Sequence, residues 1–261
     1  MTPGPAFYEP LGEGRYRATT ATVGPWSPGL QHGGPPSALL AHVLERVAPR
    51  SGARIARLSV EILGPVEVAE MRVSAAVERP GRRVQLLSAR AEIGGREALR
   101  ATAWQVLAEP GRSPECGPRE PAPAFPGQQP QVFFPNVPTF PYGEALEWRF
   151  TEGGFDRVGP ATAWARCRIP IVAGEPLTGL QRIAVMVDSA NGVSWEVPLG
   201  AYTFVPVDLN VVLHREPAGE WVCMAATTTV EPDGVGMVRT RLFDAAGQVG
   251  GSLHTLFVAP R

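Results

Sequence analysis

The stretch 177–192, LTGLQRIAVMVDSANG, constrains this chain more than any other, because it reads as a helix that is apolar around most of its girth. At about 100° per residue, Leu177, Leu180, Ile183, Ala184 and Val187 share one arc, while Val185 and Met186 carry the apolar surface to the far side. Such a helix has to be wrapped by other elements. Its one carboxylate, Asp188, stands a turn after Ala184 at the margin of the main arc, with Asn191 three residues further along the same face. A carboxylate set among apolar side chains is a candidate functional group, because burial and charge partners both shift its proton affinity.

The neighbouring sequence supplies the wrapping. Runs rich in β-formers occupy 145–151 and 162–169 before the helix, and 204–213, 221–230, 235–244 and 248–258 after it. The first half has the same order. A strand-like run at 12–22 leads through a Gly/Pro-rich turn to Gln31-His32-Gly33-Gly34-Pro35-Pro36 and SALLAHVLERVAP. Proline at the first helical position gives up only an N–H that had no intrahelical partner, so this is a helix start. Ala38, Leu39, Ala41, Val43, Leu44 and Val47 make the helix apolar, and Pro49 closes it. Strand-like runs at 56–66, 71–79, 83–93 and 97–107 follow, with Gly81 and Gly94-Gly95 at the tight turns, as in a four-stranded antiparallel meander.

The halves match in detail as well as in order. LSVEILGPVEVAEMRVSAAV from Leu58 parallels VDLNVVLHREPAGEWVCMAAT from Val207, and ARAEIGGREALRATAWQV from Ala89 parallels TRLFDAAGQVGGSLHTLFV from Thr240. Two copies of this size are a duplication, since solenoid repeats are roughly 20–50 residues long. The expected organisation is one repeat over 1–107, a proline-rich extended linker over 108–141 running across the surface, and a second repeat over 142–261.

Composition narrows the function. The formal net charge is −1, every cation is arginine, and no basic run is interleaved with aromatics, which argues against nucleic acid and anionic membrane surfaces as partners. With no run of about 18 apolar residues and no basic-then-apolar leader at the N-terminus, the chain is expected to be soluble and cytoplasmic, without membrane insertion. Cys116, Cys167 and Cys223 are an odd set without metal-ligand spacing, so neither a disulfide nor zinc is expected, and Cys167 and Cys223 read as small hydrophobes in strands. No GxSxG nucleophile elbow is present.

A long helix swaddled by antiparallel sheet, twice in one chain, resembles the double hot-dog fold of acyl-CoA thioesterases, an α+β architecture. QHGGPPSALLAHVLE resembles the glycine-led helix of the first hot dog, MVDSANGVSWEV the acid-bearing helix of the second, and VDLNVVLHREPAGEWV with GQVGGSLHTLFV the closing strands of the thioesterase II-like branch. The resemblance implies hydrolysis of a fatty acyl-CoA between the repeats, with an Asp, a Thr or Ser, and a Gln ordering the attacking water. Asp188 matches the acid; Pro206 occupies the hydroxyl position and His254 the glutamine position.

The residues themselves offer the required chemistry. Thioester hydrolysis needs a positioned water, an acceptor for its proton and donors for the developing oxyanion. Asp188 is the candidate base, and His254 a water-orienting group or second base. The N–H groups of Gly33 and Gly34 are candidate oxyanion donors at a helix start, with no Cβ to obstruct the thioester. His32 and Asn191 are placed against the substrate; Asp208, which shares a strand face with Asn210, stands either on the site wall or in solvent. Thr203 and Thr227 to Thr229 are candidates for the missing hydroxyl. No cofactor beyond the coenzyme A thioester is expected, and open sheet edges suggest a homodimer or higher homo-oligomer. The alternative to an enzyme is a non-catalytic acyl-thioester-binding protein, suggested by the replacements at Pro206 and His254.

Overall fold

In a computed structural model of the chain, which describes residues 5–137 and 139–261, both apolar helices lie inside one curved antiparallel sheet. Pro138, within the expected linker, and the first four residues of the N-terminus lie outside the described residues.

The first helix, α1 (Gly34–Val47), starts at the glycine-proline signal with prolines in its first turn. After a short helix α2 (Pro141–Glu144), the second central helix is α3 (Gly179–Val187), opened by Thr178, whose hydroxyl accepts the Gln181 N–H. The two helices run antiparallel. At one end Gly34 packs so tightly that a Cβ there would stand 2.2 Å from the Val185 carbonyl oxygen. At the other, the Glu45 carboxylate accepts from the Thr178 hydroxyl at 3.0 Å and the Gln181 amide at 2.7 Å.

The single helix expected over 177–192 is instead two pieces, α3 and α4 (Ala190–Val193), with Asp188 at the break. An unbroken helix would send the Ser189 N–H to Val185; it goes to the Met186 carbonyl, and the Tyr142 hydroxyl donates to Val185 at 2.7 Å in its place. The break turns Asp188 out of the helix ladder and toward α1.

The strands are β1 (Tyr8–Gly12), β2 (Arg15–Ala18), β3 (Ala53–Ile62), β4 (Glu70–Arg79), β5 (Val84–Ile93), β6 (Arg96–Leu107), β7 (Leu146–Glu152), β8 (Ala161–Cys167), β9 (Tyr202–Pro206), β10 (Asp208–Leu213), β11 (Val222–Val230), β12 (Val235–Asp244) and β13 (Gly247–Pro260). Their order is β1-β2-β4-β5-β6-β3-β10-β13-β12-β11-β8-β7, with β9 also paired to β13. Outward from the β3–β10 seam the two halves mirror each other strand for strand, as the internal repeats require. The expected four-stranded meanders are corrected in one respect: β3 pairs with β6 and β10 with β13, while the chain crosses to the far side before β4 and β11 begin. Period-two alternation turns Leu87, Ala89, Ala91 and Ile93 of β5 onto the helices.

The strand expected over 204–213 is divided at Val207. Pro206 has no N–H to give the ladder, and beyond it the Val207 N–H reaches the Thr255 carbonyl at 3.0 Å while Asp208 Oδ1 accepts the Thr255 N–H at 2.6 Å. A carboxylate thus patches the ladder where the chain bends, and β9 is free to lean over the seam.

The proline-rich segment contains neither strand nor helix over its described residues 108–137, yet it does more than cross the surface. Gln129 and Gln131 pair by their side-chain amides with the backbone of Phe150 and Trp148, giving β7 four hydrogen bonds of 2.7–3.0 Å along its outer edge. Phe133 and Phe134 then enter the core. At the opposite end, β1 binds the 170–173 segment through the N–H groups of Phe7, Tyr8 and Ala173.

Candidate active site

The break after α3, the start of α1, the loop after β3 and the leaning β9 enclose a cavity of about 590 Å³. Trp26, Leu30, Ile62, Val66, Val205, Val207 and Phe257 make its walls mostly apolar. His32, Gly33, Asp188 and Asn191 cluster on one part of the lining.

Asp188 is 4% exposed, and its Oδ2 lies 2.8 Å from His32 Nδ1. The Gly34 N–H is also 3.2 Å from Nδ1, but a nitrogen that gives its proton to a carboxylate cannot accept another bond. The Nδ1–H···Oδ2 bond therefore sets the tautomer and leaves Nε2 as the acceptor. Among the described residues Nε2 has no hydrogen-bond partner, and His32, 12% exposed, lines the cavity. Burial drives the Asp188 carboxyl upward, but the charge and hydrogen bond of His32, the pull of His254 and the Gly34 N–H outweigh it and hold the group below the ordinary carboxylate range. The imidazole is clamped from behind by Tyr142, whose ring stacks on it at 3.8 Å and 10°.

Two glycines make this approach possible. A Cβ on Gly33 would stand 2.8 and 3.0 Å from the two Asp188 oxygens. The Gly33 N–H has no partner among the described residues, whereas the Gly34 N–H is spent on the His32–Asp188 pair. Of the two expected oxyanion donors, Gly33 is the one left open.

The other expected residues are dispersed. Asn191 lines the cavity and gives an amide hydrogen to the Phe204 carbonyl at 3.0 Å, tying α4 to β9. His254, on β13, is 1% exposed and does not line the cavity. Burial holds its imidazole down at about 4 against the pull of Asp188 and Asp208, so it is neutral at pH 7. Both its nitrogens, together with Asp188 Oδ1, Ser252 Oγ and Thr240 Oγ1, are buried without a partner among the described residues. Of the two places open to Asp208, the structure shows the outward one: its carboxylate binds Thr255 and Asn210 on the outer sheet face, and it does not line the cavity. Pro206 is on the wall, and so is Thr203, while the Thr228 hydroxyl is paired with Ser194. Sequence reasoning passed over Tyr142, Trp26 and Arg261. A lone aromatic after a proline-rich run carries no local signal of the histidine it meets across 110 residues.

Comparison with known proteins decides the family. Residues 22–106 match the model of the acyl-CoA thioesterase N-terminal domain, and residues 115–258 that of the acyl-CoA thioesterase C-terminal domain. The chain belongs to the acyl-CoA thioesterase family. It is thus a thioester hydrolase with a double hot-dog fold, and the matched segments correspond to the two halves of its sheet. Among solved structures, this thioesterase resembles a hot-dog protein of unknown function from Alicyclobacillus acidocaldarius, at 15% identity and a TM-score of 0.75 over 96% of this chain and 95% of that one. An acyl-CoA thioesterase II from Mycobacterium marinum is similar at 15% identity and a TM-score of 0.69, over 97% and 95% of the two chains. At this identity the likeness is one of fold. A search among curated proteins found no match.

Proposed function

We propose that this thioesterase hydrolyses fatty acyl-CoA to free acid and coenzyme A by direct attack of water, assisted by the Asp188–His32 pair. The observation that carries the reading is the 2.8 Å bond between Asp188 and His32 at the edge of an apolar cavity whose volume suits a small-molecule ligand. Water gives its proton to His32 Nε2 as its oxygen attacks the thioester carbon. Asp188, held ionised, orients the ring and stabilises the imidazolium that forms, in the manner of a triad's carboxylate. The Gly33 N–H, at the positive end of a 14-residue helix, stabilises the oxyanion. Collapse of the tetrahedral intermediate breaks the C–S bond, and the imidazolium returns its proton to the thiolate. His254, neutral and carrying one donor and one acceptor, keeps its hydrogen-bonding capacity within electrostatic reach of Asp188. The hydrocarbon lies along the apolar walls.

The test is thiol release from acyl-CoAs of graded chain length, for the native protein beside Asp188→Asn and His32→Gln. Native turnover with a loss of about 10²–10⁴ in either variant is expected. Full activity in both variants would overturn the proton path. Binding of every chain length with hydrolysis of none would point to the acyl-thioester-binding alternative.

A further inference from the structure

The cavity has a buried end, at Asp188 and His32, and an exposed end, where Phe257 is 53% exposed and Arg261 reaches solvent. Among the described lining residues Arg261 is the one arginine, and among the described residues its guanidinium makes a contact with the Trp26 ring but no side-chain hydrogen bond or ion pair. It is nonetheless held in place. Its backbone N–H donates to the Ala201 carbonyl at 3.0 Å, and its guanidinium lies 5.1 Å from the centre of the Trp26 ring, within cation–π range. Trp26 stands edge-on to Phe204 at 5.3 Å, and the Phe204 carbonyl accepts from Asn191, three residues after Asp188. A continuous set of contacts therefore fixes a free cation at the mouth relative to the carboxylate at the depth.

A guanidinium with its fork unspent, braced on an aromatic face, suits a phosphate oxygen pair. The apolar walls between mouth and depth offer nothing else of charge to an anionic substrate. We infer that Arg261, braced by Trp26, binds a phosphate of the coenzyme A moiety and so makes the enzyme prefer coenzyme A thioesters to thioesters of a carrier lacking the nucleotide. This rests on the acyl-CoA reading of the site, and it assigns the mouth to the nucleotide end and the depth to the thioester.

The experiment compares the native protein, Arg261→Gln and Arg261→Lys with one acyl chain presented on coenzyme A and on pantetheine. The expected result for Arg261→Gln is a rise in KM of about tenfold for the acyl-CoA at low salt, with kcat unchanged and the acyl-pantetheine unaffected. Arg261→Lys recovers part of the difference, and added salt narrows the gap between native and variant. Equal KM changes for both thioesters, or none for either, would overturn the inference. Direct titration with coenzyme A and with pantetheine separates this from the catalytic reading. If the native protein hydrolyses neither thioester, weaker binding of coenzyme A alone by Arg261→Gln still upholds the phosphate contact, and unchanged binding rejects it.

Discussion

Gly33 and Gly34 are neighbours that yield to different constraints, and single alanines should separate them. At Gly33 the atoms in the way are the two Asp188 oxygens, so Gly33→Ala displaces the carboxylate from His32 and costs activity before stability. A shift of about 1 Å in such a pair is worth about 10² in rate, and kcat/KM is expected to fall by that order with little change in Tm. At Gly34 the obstacle is the Val185 backbone carbonyl, and Gly34→Ala must spread the two central helices. Overpacking of this kind costs about 1–3 kcal/mol, readable in a denaturant titration. Glu45 offers a further check at the opposite end of the helix pair. Burial raises its carboxyl despite the hydrogen bonds from Gln181 and Thr178, with Glu216 adding repulsion. A raised carboxyl binds more protons folded than unfolded, so its contribution is greatest below the unfolded value and is lost as pH rises through the folded one. Glu45→Gln is expected to be at least as stable as the native protein at pH 7, with a flatter dependence of Tm on pH between 4 and 7.

The proline-rich segment behaves as a surrogate strand, with glutamine amides supplying the donors and acceptors that a backbone interrupted by Pro130 does not. Replacing Gln129 and Gln131 together by alanine removes four hydrogen bonds and bares the β7 edge. At about 0.5–1.5 kcal/mol net per bond, a stability loss of a few kcal/mol is expected, together with concentration-dependent self-association measurable by light scattering. An unchanged elution profile and denaturation midpoint would show that the edge needs no cover. At this scale much was legible in the sequence: hydrophobic period and turn glycines located both central helices and nine of the long strand runs to within a few residues. The failures share a cause. The break at Asp188 depends on Tyr142 reaching Val185 from another element, the partner of β3 depends on a crossover, and the bend at Val207 depends on Asp208 meeting Thr255. None of these leaves a trace in local periodicity. The same holds at the site, where Asp188 stood out by its apolar setting, but its 2.8 Å bond to His32 joins residues 156 apart in sequence.

On the scale of the molecule, a single sheet passes through both repeats, crossing between them along the five-residue β3–β10 ladder and wrapping two helices set head to tail. Its edge strands are covered from within, β7 by Gln129 and Gln131 and β1 by the 170–173 segment, so the edge pairing expected to drive homo-oligomers meets segments of the same chain. The head-to-tail helices carry a final consequence. In an assembly of two identical subunits both ends of such a pair would have to be alike, because every substitution would be written twice. Here one end opens on His32 and Asp188 while its counterpart is stoppered by Glu45 on Thr178 and Gln181. Joining the two copies in one polypeptide removed the obligation to match: one end became a workshop and the other a foundation.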